Sequence, residues 1–294
     1  MDVSVIIVNY KTRDLTLQCL RTLFCYTHNV EMEVILVDNA SSDDTPMCVH
    51  REFPQVRVIE SSENLGFGRA NNLGSTYAVG KYLFLLNSDT IILHNIVRQF
   101  FDFMEGHPEY ASCGGNLLDG NGVNCGVGGN FPTLMQEFLN IGFYRLIPKH
   151  IWYSYSAVQT IANCNPQNIL HVTGADTFIR KDVFDKFGGF DPNFFMYNEE
   201  VELFYRMHQA GLRACVLPYA VMIHLDGASF DGKKRLAFLR RNEYALKSKF
   251  YFYRKHRGRR ELLIVKFLVF ISAILHFYTY RTYLLSYLIK IITW

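Results

Sequence analysis

The 294-residue chain has no Cys-x-x-Cys pair, no glycine in the turn after its first apolar run, and no uncharged apolar stretch as long as twenty residues. Each absence excludes something. Its seven cysteines are odd in number and scattered, which argues against a thiolate zinc site and for reduced thiols in a cytoplasmic setting. Val3–Tyr10 is followed by Lys11-Thr12-Arg13-Asp14. A dinucleotide fingerprint or a triphosphate-gripping loop needs glycine at that turn, so hydride transfer and nucleotidyl transfer are both disfavoured. Met1 leads almost directly into that run, and no cleavable leader is expected. In the tail, the uncharged stretch 267–280 is fourteen residues long and falls short of a comfortable membrane span.

Acidic charge is scarce at one end. Residues 247–294 carry ten Lys/Arg against one acid, Glu261, whereas residues 1–246 carry twenty against twenty-six. A mildly acidic body, 1–246, and a basic, apolar tail, 247–294, are the expected domains. The tail interleaves Lys247, Lys249, Arg254 and Lys255 with Phe250–Tyr253, a mixture suited to nucleic acid or to a membrane interface. The apolar stretches that follow, 267–280 and 283–289, favour an anionic membrane surface over nucleic acid. A single span over Leu262–Tyr280 with Lys266 snorkelling, and a terminal helix packed on the body, are the alternatives.

Hydrophobic residues make up 49% of the chain, enough for a sizeable core. Val3–Tyr10, Glu33–Asp38, Val56–Glu60 and Tyr82–Asn87 read as buried strands, separated by helical patterns. The first helix follows Asp14, with Leu17, Leu20 and Phe24 on one face. This alternation implies an α/β fold with a mostly parallel, doubly covered sheet. From Gly114 to Asn168 the pattern dissolves into Gly, Asn and aromatics and reads as an irregular insertion forming a pocket wall. Pattern returns at Val172–Arg180, Lys181–Phe187, Glu199–Gln209 and Arg213–Leu217.

Polar clusters fall where strands end, the ligand-binding rim of open α/β sheets. Asn87-Ser88-Asp89 closes the fourth run; Asp89 suits either a hard divalent cation or a helix cap. Asp38, before Asn39, suits a base or ribose edge, and equally a turn. Arg69, after Gly66-Phe67-Gly68, is a candidate diphosphate contact. Glu199 and Glu200 open a helix, where dipole and free amides favour ionised carboxylates that can take a proton; helix-start charge bias explains them as well. His224 ends another apolar run and is either a second cation contact beside Asp89 or a satisfied core histidine.

The ordered set Val5-Ile-Ile-Val-Asn-Tyr10, Val37-Asp-Asn-Ala-Ser-Ser-Asp43, Glu63–Asn72, Leu86-Asn-Ser-Asp-Thr90, Gly174-Ala175 and Phe187-Gly-Gly-Phe-Asp191 through Glu199-Glu-Val-Glu-Leu203 resembles family 2 glycosyltransferases of the GT-A fold, in particular the rhamnosyltransferase-like branch of bacterial surface-polysaccharide synthesis. The resemblance runs from Val3 to about Lys255. It implies a Rossmann-like GT-A sheet, a nucleotide-diphosphate-sugar donor, a divalent metal (Mn²⁺ or Mg²⁺), inversion by single displacement, and a saccharide acceptor, lipid-linked at the cytoplasmic face of the inner membrane. By motif, Asn9, Tyr10, Asp38, Asn39, Arg69, Asn87, Ser88, Asp89, Gly174, Ala175 and Asp191 would serve the nucleotide-sugar, Asp89 and His224 the metal, and Glu200, preceded by Glu199, the base. Arg241 would help to shape the site. Asn87 replaces the first Asp of the family's D-x-D, and Glu200 replaces its catalytic Asp, a side chain one methylene longer. A catalytically inactive sugar-nucleotide-binding homologue is the alternative that this substitution raises.

Overall fold

The structure is a computed structural model that describes residues 1–143, 148, 163–225, 234–276 and 284–294, with backbone alone for 234–240. The far end of the aromatic stretch around 138–155 and parts of both tail apolar runs lie outside the described residues.

Eleven strands and ten helices are described: β1 (Val3–Asn9), α1 (Arg13–Tyr26), β2 (Met32–Asp38), α2 (Thr45–Glu52), β3 (Arg57–Glu60), α3 (Phe67–Ser75), β4 (Tyr82–Asn87), β5 (Thr90–Ile92), α4 (Ile96–Gly106), β6 (Tyr110–Leu118), β7 (Gly128–Gly129), α5 (Leu134–Asn140), β8 (Gln167–Ile169), β9 (His171–Val172), β10 (Asp176–Arg180), α6 (Lys181–Lys186), α7 (Glu199–Gln209), β11 (Arg213–His224), α8 (Lys234–His256), α9 (Gly258–Leu275) and α10 (Leu284–Thr293). The main sheet runs β3-β2-β1-β4-β10-β6-β11-β5, with β8 also on β11. β3, β2, β1 and β4 are mutually parallel, as are β6 and β11. β10 is inserted antiparallel between β4 and β6. The mostly parallel, helix-covered sheet expected from the sequence is therefore present.

Alternate residues of β1 reach opposite faces: Val5 and Ile7 join one core with α1 and α4, while Ile6 joins the other with Phe190, Phe194, Leu203 and Phe204. That second core also takes in Phe250, Phe252 and Tyr253 of the tail helix. Full burial of a phenylalanine such as Phe252 contributes roughly 1.5–3 kcal/mol, so this part of the tail is integral to the body. The expected boundary between residues 246 and 247 falls inside helix 234–256.

Several local expectations are corrected. Gly114–Leu118 is strand, not insertion. Its glycines mark close approach: a Cβ on Gly114 would stand 2.2 Å from Val172 Cγ1, and one on Gly115 2.3 Å from the Ala220 carbonyl oxygen. Val172–Arg180 is not one strand; Thr173–Ala175 interrupts it and turns toward the rim. Arg213–Leu217 continues through an irregularity between Val216 and Val221 to His224. Asp14 lies within the first turn of α1 rather than capping it.

Candidate active site

Widely separated chain segments converge on one cavity of about 560 Å³ at the carboxyl rim, lined among others by Tyr10, Lys11, Asn39, Asn87, Ser88, Asp89, Gly174, Ala175, Glu199, Glu200, His224 and Arg241. Asp89 and Glu200, 111 positions apart in the chain, thus share one space.

The end nearest β1 and β2 is a finished polar lattice. Asn9 is wholly buried: its amide donates to Asp38 Oδ1 (2.7 Å) and Ser41 Oγ (2.8 Å), and its carbonyl accepts from the Thr12 and Thr16 hydroxyls at 2.8 and 2.9 Å. Asp38 accepts a further bond from the Ser41 amide. Asn39 ties this loop to the next by donating to Asn64 Oδ1 and the Gly66 carbonyl while accepting from Leu65 N–H. Asn9 and Asp38 do not line the cavity; they hold in place the Asn39 and Tyr10 that do. Ala40 and Ser42 take left-handed conformations in the same loop, at φ 61° and 56°. Gly66, at φ 78°, lies against the Phe195 carbonyl, where a Cβ would approach within 2.0 Å.

At the centre, Asp89 is 5% exposed and its Oδ1 lies 3.2 Å from His224 Nε2. The Asn87 amide is also 3.2 Å from that nitrogen. Asn87 N–H donates to the Ala175 carbonyl (3.0 Å), and Leu225 N–H to that of Asp89 (3.0 Å), locking β4 to its neighbours across the rim. The Ser88 hydroxyl lies 3.0 Å from that of Thr12. No group of three or more His, Cys, Asp or Glu capable of holding a metal occurs among the described residues. One carboxylate, one imidazole and one amide nevertheless fit a divalent cation that takes its remaining oxygens from phosphate and water.

Behind them, Asp176 is fully buried. Its Oδ2 accepts from Gly115 N–H at 2.5 Å and its Oδ1 has no partner. Burial raises this carboxyl to about 7, against the opposing pull of Gly115 and His224. No motif marked it.

The third wall carries the glutamates. Tyr197 and Asn198, at φ 68° and 63°, are consecutive left-handed residues immediately before helix 199–209. Such strain, of order 1–3 kcal/mol per residue, collects at working sites. Glu199 is 3% exposed and its Oε2 has no hydrogen-bond partner. The half-buried Glu200 has its carboxyl carbon 3.9 Å from the position a Gly174 Cβ would occupy. Burial raises Glu199 well above the ordinary glutamate range, and the neighbouring Glu200 pushes it further. Burial raises Glu200 too, against its backbone hydrogen bonds. Desolvation therefore opposes the helix start, which the sequence expected to favour the ionised form, and raises the proton affinity of both glutamates.

Two expected contacts lie elsewhere. Arg69 does not line the cavity and pairs with Glu63 at 3.3 Å. Asp191 accepts from Lys255 Nζ (2.6 Å) and the Tyr251 hydroxyl (3.0 Å), which fastens the tail helix, and it is outside the cavity lining. The tail helix also braces the cavity wall. Ser248 Oγ donates to the Met196 carbonyl, Tyr244 meets the Phe195 ring at 4.9 Å, and Arg241 lies over Tyr197 at 5.8 Å. Lys11, Thr173, Tyr197 and Tyr244 line the cavity without having been singled out. Of these, Lys11 is the one that could have been marked beforehand, because it directly follows the first apolar run.

Residues 4–188 match the model of glycosyl transferase family 2, so the chain belongs to that family and is a glycosyltransferase by class. It is 24% identical over 204 residues to N-acetylglucosaminyl-diphospho-decaprenol L-rhamnosyltransferase of Mycobacterium tuberculosis, covering 66% of each chain. The low-salt glycan biosynthesis hexosyltransferase Agl10 of Haloferax volcanii is 25% identical over 83% of this chain and 74% of its own. Rhamnosyltransferase WbbL of Escherichia coli is 27% identical over 57% and 65%. Among solved structures, GalNAc-T7 with UDP, GalNAc and Mn²⁺ superposes with a TM-score of 0.60 at 16% identity, over 86% of this chain and 50% of that one. Mannosyltransferase PcManGT of Pyrobaculum calidifontis, in complex with GDP-Man and Mn²⁺, gives 0.58 at 15%, over 95% and 75%. The fold is that of the GT-A glycosyltransferases.

Proposed function

We propose that the protein is an inverting, metal-dependent glycosyltransferase that moves a sugar, rhamnose by analogy with two of these relatives, from a nucleotide-diphosphate-sugar to a lipid-linked saccharide in surface-polysaccharide synthesis. The observation that carries this is the single cavity lined both by Asp89 and His224 and by the Glu199–Glu200 pair. The lattice around Asn9, Asp38 and Asn39 supports nucleotide binding at one end. Asp89 and His224, with Asn87 beside them, would hold the cation, which supplies positive charge opposite the departing diphosphate. Glu200, its affinity for a proton raised by burial, takes the proton from the acceptor hydroxyl as that oxygen attacks the anomeric carbon. Glu199 shares that low-dielectric pocket and keeps the pair from carrying two full charges together. Phe195 and Met196 cover the reacting sugar and hinder hydrolysis. The mycobacterial relative is named for a lipid-linked substrate, which supports a similar acceptor and work at a membrane surface.

The test is a thermal-shift panel of UDP-, GDP- and dTDP-sugars with and without Mn²⁺, followed by turnover of the donor that binds. Asp89→Ala is expected to abolish the Mn²⁺-dependent part of the shift and to lower turnover by roughly 10²-fold or more. Undiminished metal-dependent binding and turnover in Asp89→Ala would remove the assignment.

A further inference from the structure

The tail rings that looked membrane-seeking in the sequence, Phe250, Phe252 and Tyr253, are buried in the protein core. A different apolar surface is left outside. On helix 258–275, Leu263, Ile264, Phe267, Ile274 and Leu275 are exposed; on helix 284–293, Leu285, Ile289 and Ile292 are, all eight between 44% and 74%. At 100° per residue the first five fall within an arc of roughly 120°, and the other three share one side at i, i+4, i+7. The opposite sides, Leu262, Val265 and Ala273 on one helix and Tyr287 and Ile291 on the other, enter the same core. Lys266 of the first helix donates to the Ile292 carbonyl of the second, at 3.2 Å. The two helices therefore lie side by side with their apolar strips turned away from the body.

Charge identifies the occupant. Arg254, Arg259 and Arg260 are exposed at the head of the strip, and Glu261 is the lone acid of residues 247–294. Among the described residues, no helix is long and apolar enough to cross a bilayer. An apolar strip flanked by arginines and too short to span suits the plane of an anionic bilayer, with side chains among the acyl chains and guanidinium groups at the headgroup phosphates.

We infer that the strip formed by Leu263, Ile264, Phe267, Ile274 and Leu275 with Leu285, Ile289 and Ile292 is a docking face that lies in the surface of an anionic lipid bilayer. It deepens the membrane location proposed above and rests on that reading only for its biological purpose.

The full chain is tested by co-sedimentation with phosphatidylcholine vesicles, with and without phosphatidylglycerol. Wild type is expected to pellet with the anionic vesicles, less so in 1 M salt, where screening shortens electrostatic reach. Leu263→Gln/Phe267→Gln is expected to weaken vesicle partitioning by about tenfold or more. Arg259→Gln/Arg260→Gln should weaken it on anionic vesicles alone. Val79→Gln, at an exposed apolar residue on the body, should leave it unchanged. The inference is overturned if wild type stays in the supernatant, or if the Val79 variant loses as much as the strip variant. It is equally overturned if light scattering shows a dimer that the strip variant dissolves, which would make the strip an interface between copies. The nucleotide-sugar thermal shift, run on the same proteins, reports separately on the catalytic reading: a strip variant that loses vesicles but keeps the shift separates the two.

Discussion

Glu199 and Glu202 stand on one helix, three residues apart, and neither is more than 3% exposed. Glu199 leaves an oxygen without a partner and has its proton affinity raised by burial and by Glu200. Glu202 accepts from Arg206 at 3.0 Å, Lys255 Nζ at 2.7 Å and His256 Nε2 at 3.0 Å. Burial opposes its charge too, yet the bonds from His256, Arg206 and Lys255 prevail and hold it at about 2. Asp191, tied to the same Lys255, is likewise held at about 2 despite burial. The same side chain, equally buried, becomes a candidate proton acceptor or a permanent anion according to what the tail helix brings to it. The fastened face holds the helix in place, so that the unfastened one can remain polar, dry and unpaired.

The largest effect that can break this contrast is expected at the cavity. Glu200→Gln should lower turnover by roughly 10²–10⁴-fold, the range for a lost general base, while leaving the nucleotide-sugar thermal shift intact. Equal turnover by the variant and wild type would remove Glu200 from the mechanism. Next, Glu202→Ala leaves Arg206, Lys255 and His256 facing an empty site, and should cost about 2–3 kcal/mol in denaturant unfolding, discounted for the partial exposure of the lysine. Its pH dependence has a definite sign. Glu202 is held below the ordinary glutamate value of 4.5, so the stability it confers is present above that pH and is lost as pH falls toward about 2. Wild type should therefore lose stability over that window, and Glu202→Gln should lose less. The smallest effect has the opposite sign. Glu199 is raised, so between 4.5 and its folded-state value the native protein binds more protons than the unfolded chain, and stability falls as pH rises. Glu199→Gln should raise Tm by roughly 2–4 °C at pH 8 and leave it unchanged at pH 4. A Tm that falls at both pH values would mean that the acid is needed structurally.

Much of this architecture is legible in the chain because periodicity is local. Val5-Ile6-Ile7 and Leu83-Phe84-Leu85 are apolar on both sides, and such runs between helical patterns leave little choice but a covered parallel sheet. The placement of Asp89, His224 and the glutamate pair at run ends was legible for the same reason. Gly114 and Gly115 misled, because glycine marks both a loop and a strand pressed by its neighbours, and only the neighbours distinguish them. For Arg69 and Asp191 the sequence could not name the neighbours, because a charge beside a motif can reach a ligand or a partner equally well; the structure pairs them with Glu63 and Lys255.

The residue order by itself determined that the first four apolar runs become strands, where the polar groups sit at their ends, and which family the pattern resembles, since these follow from spacing along a single backbone. Tertiary structure alone decided that Asn9 is buried in a hydrogen-bonded lattice behind the cavity lining, that Phe252 and Tyr253 are core while Phe267 faces outward, and that two nearby glutamates have their proton affinities shifted in opposite directions. Burial and pairing depend on atoms supplied by distant segments, and desolvation and hydrogen bonding act through space rather than along the chain.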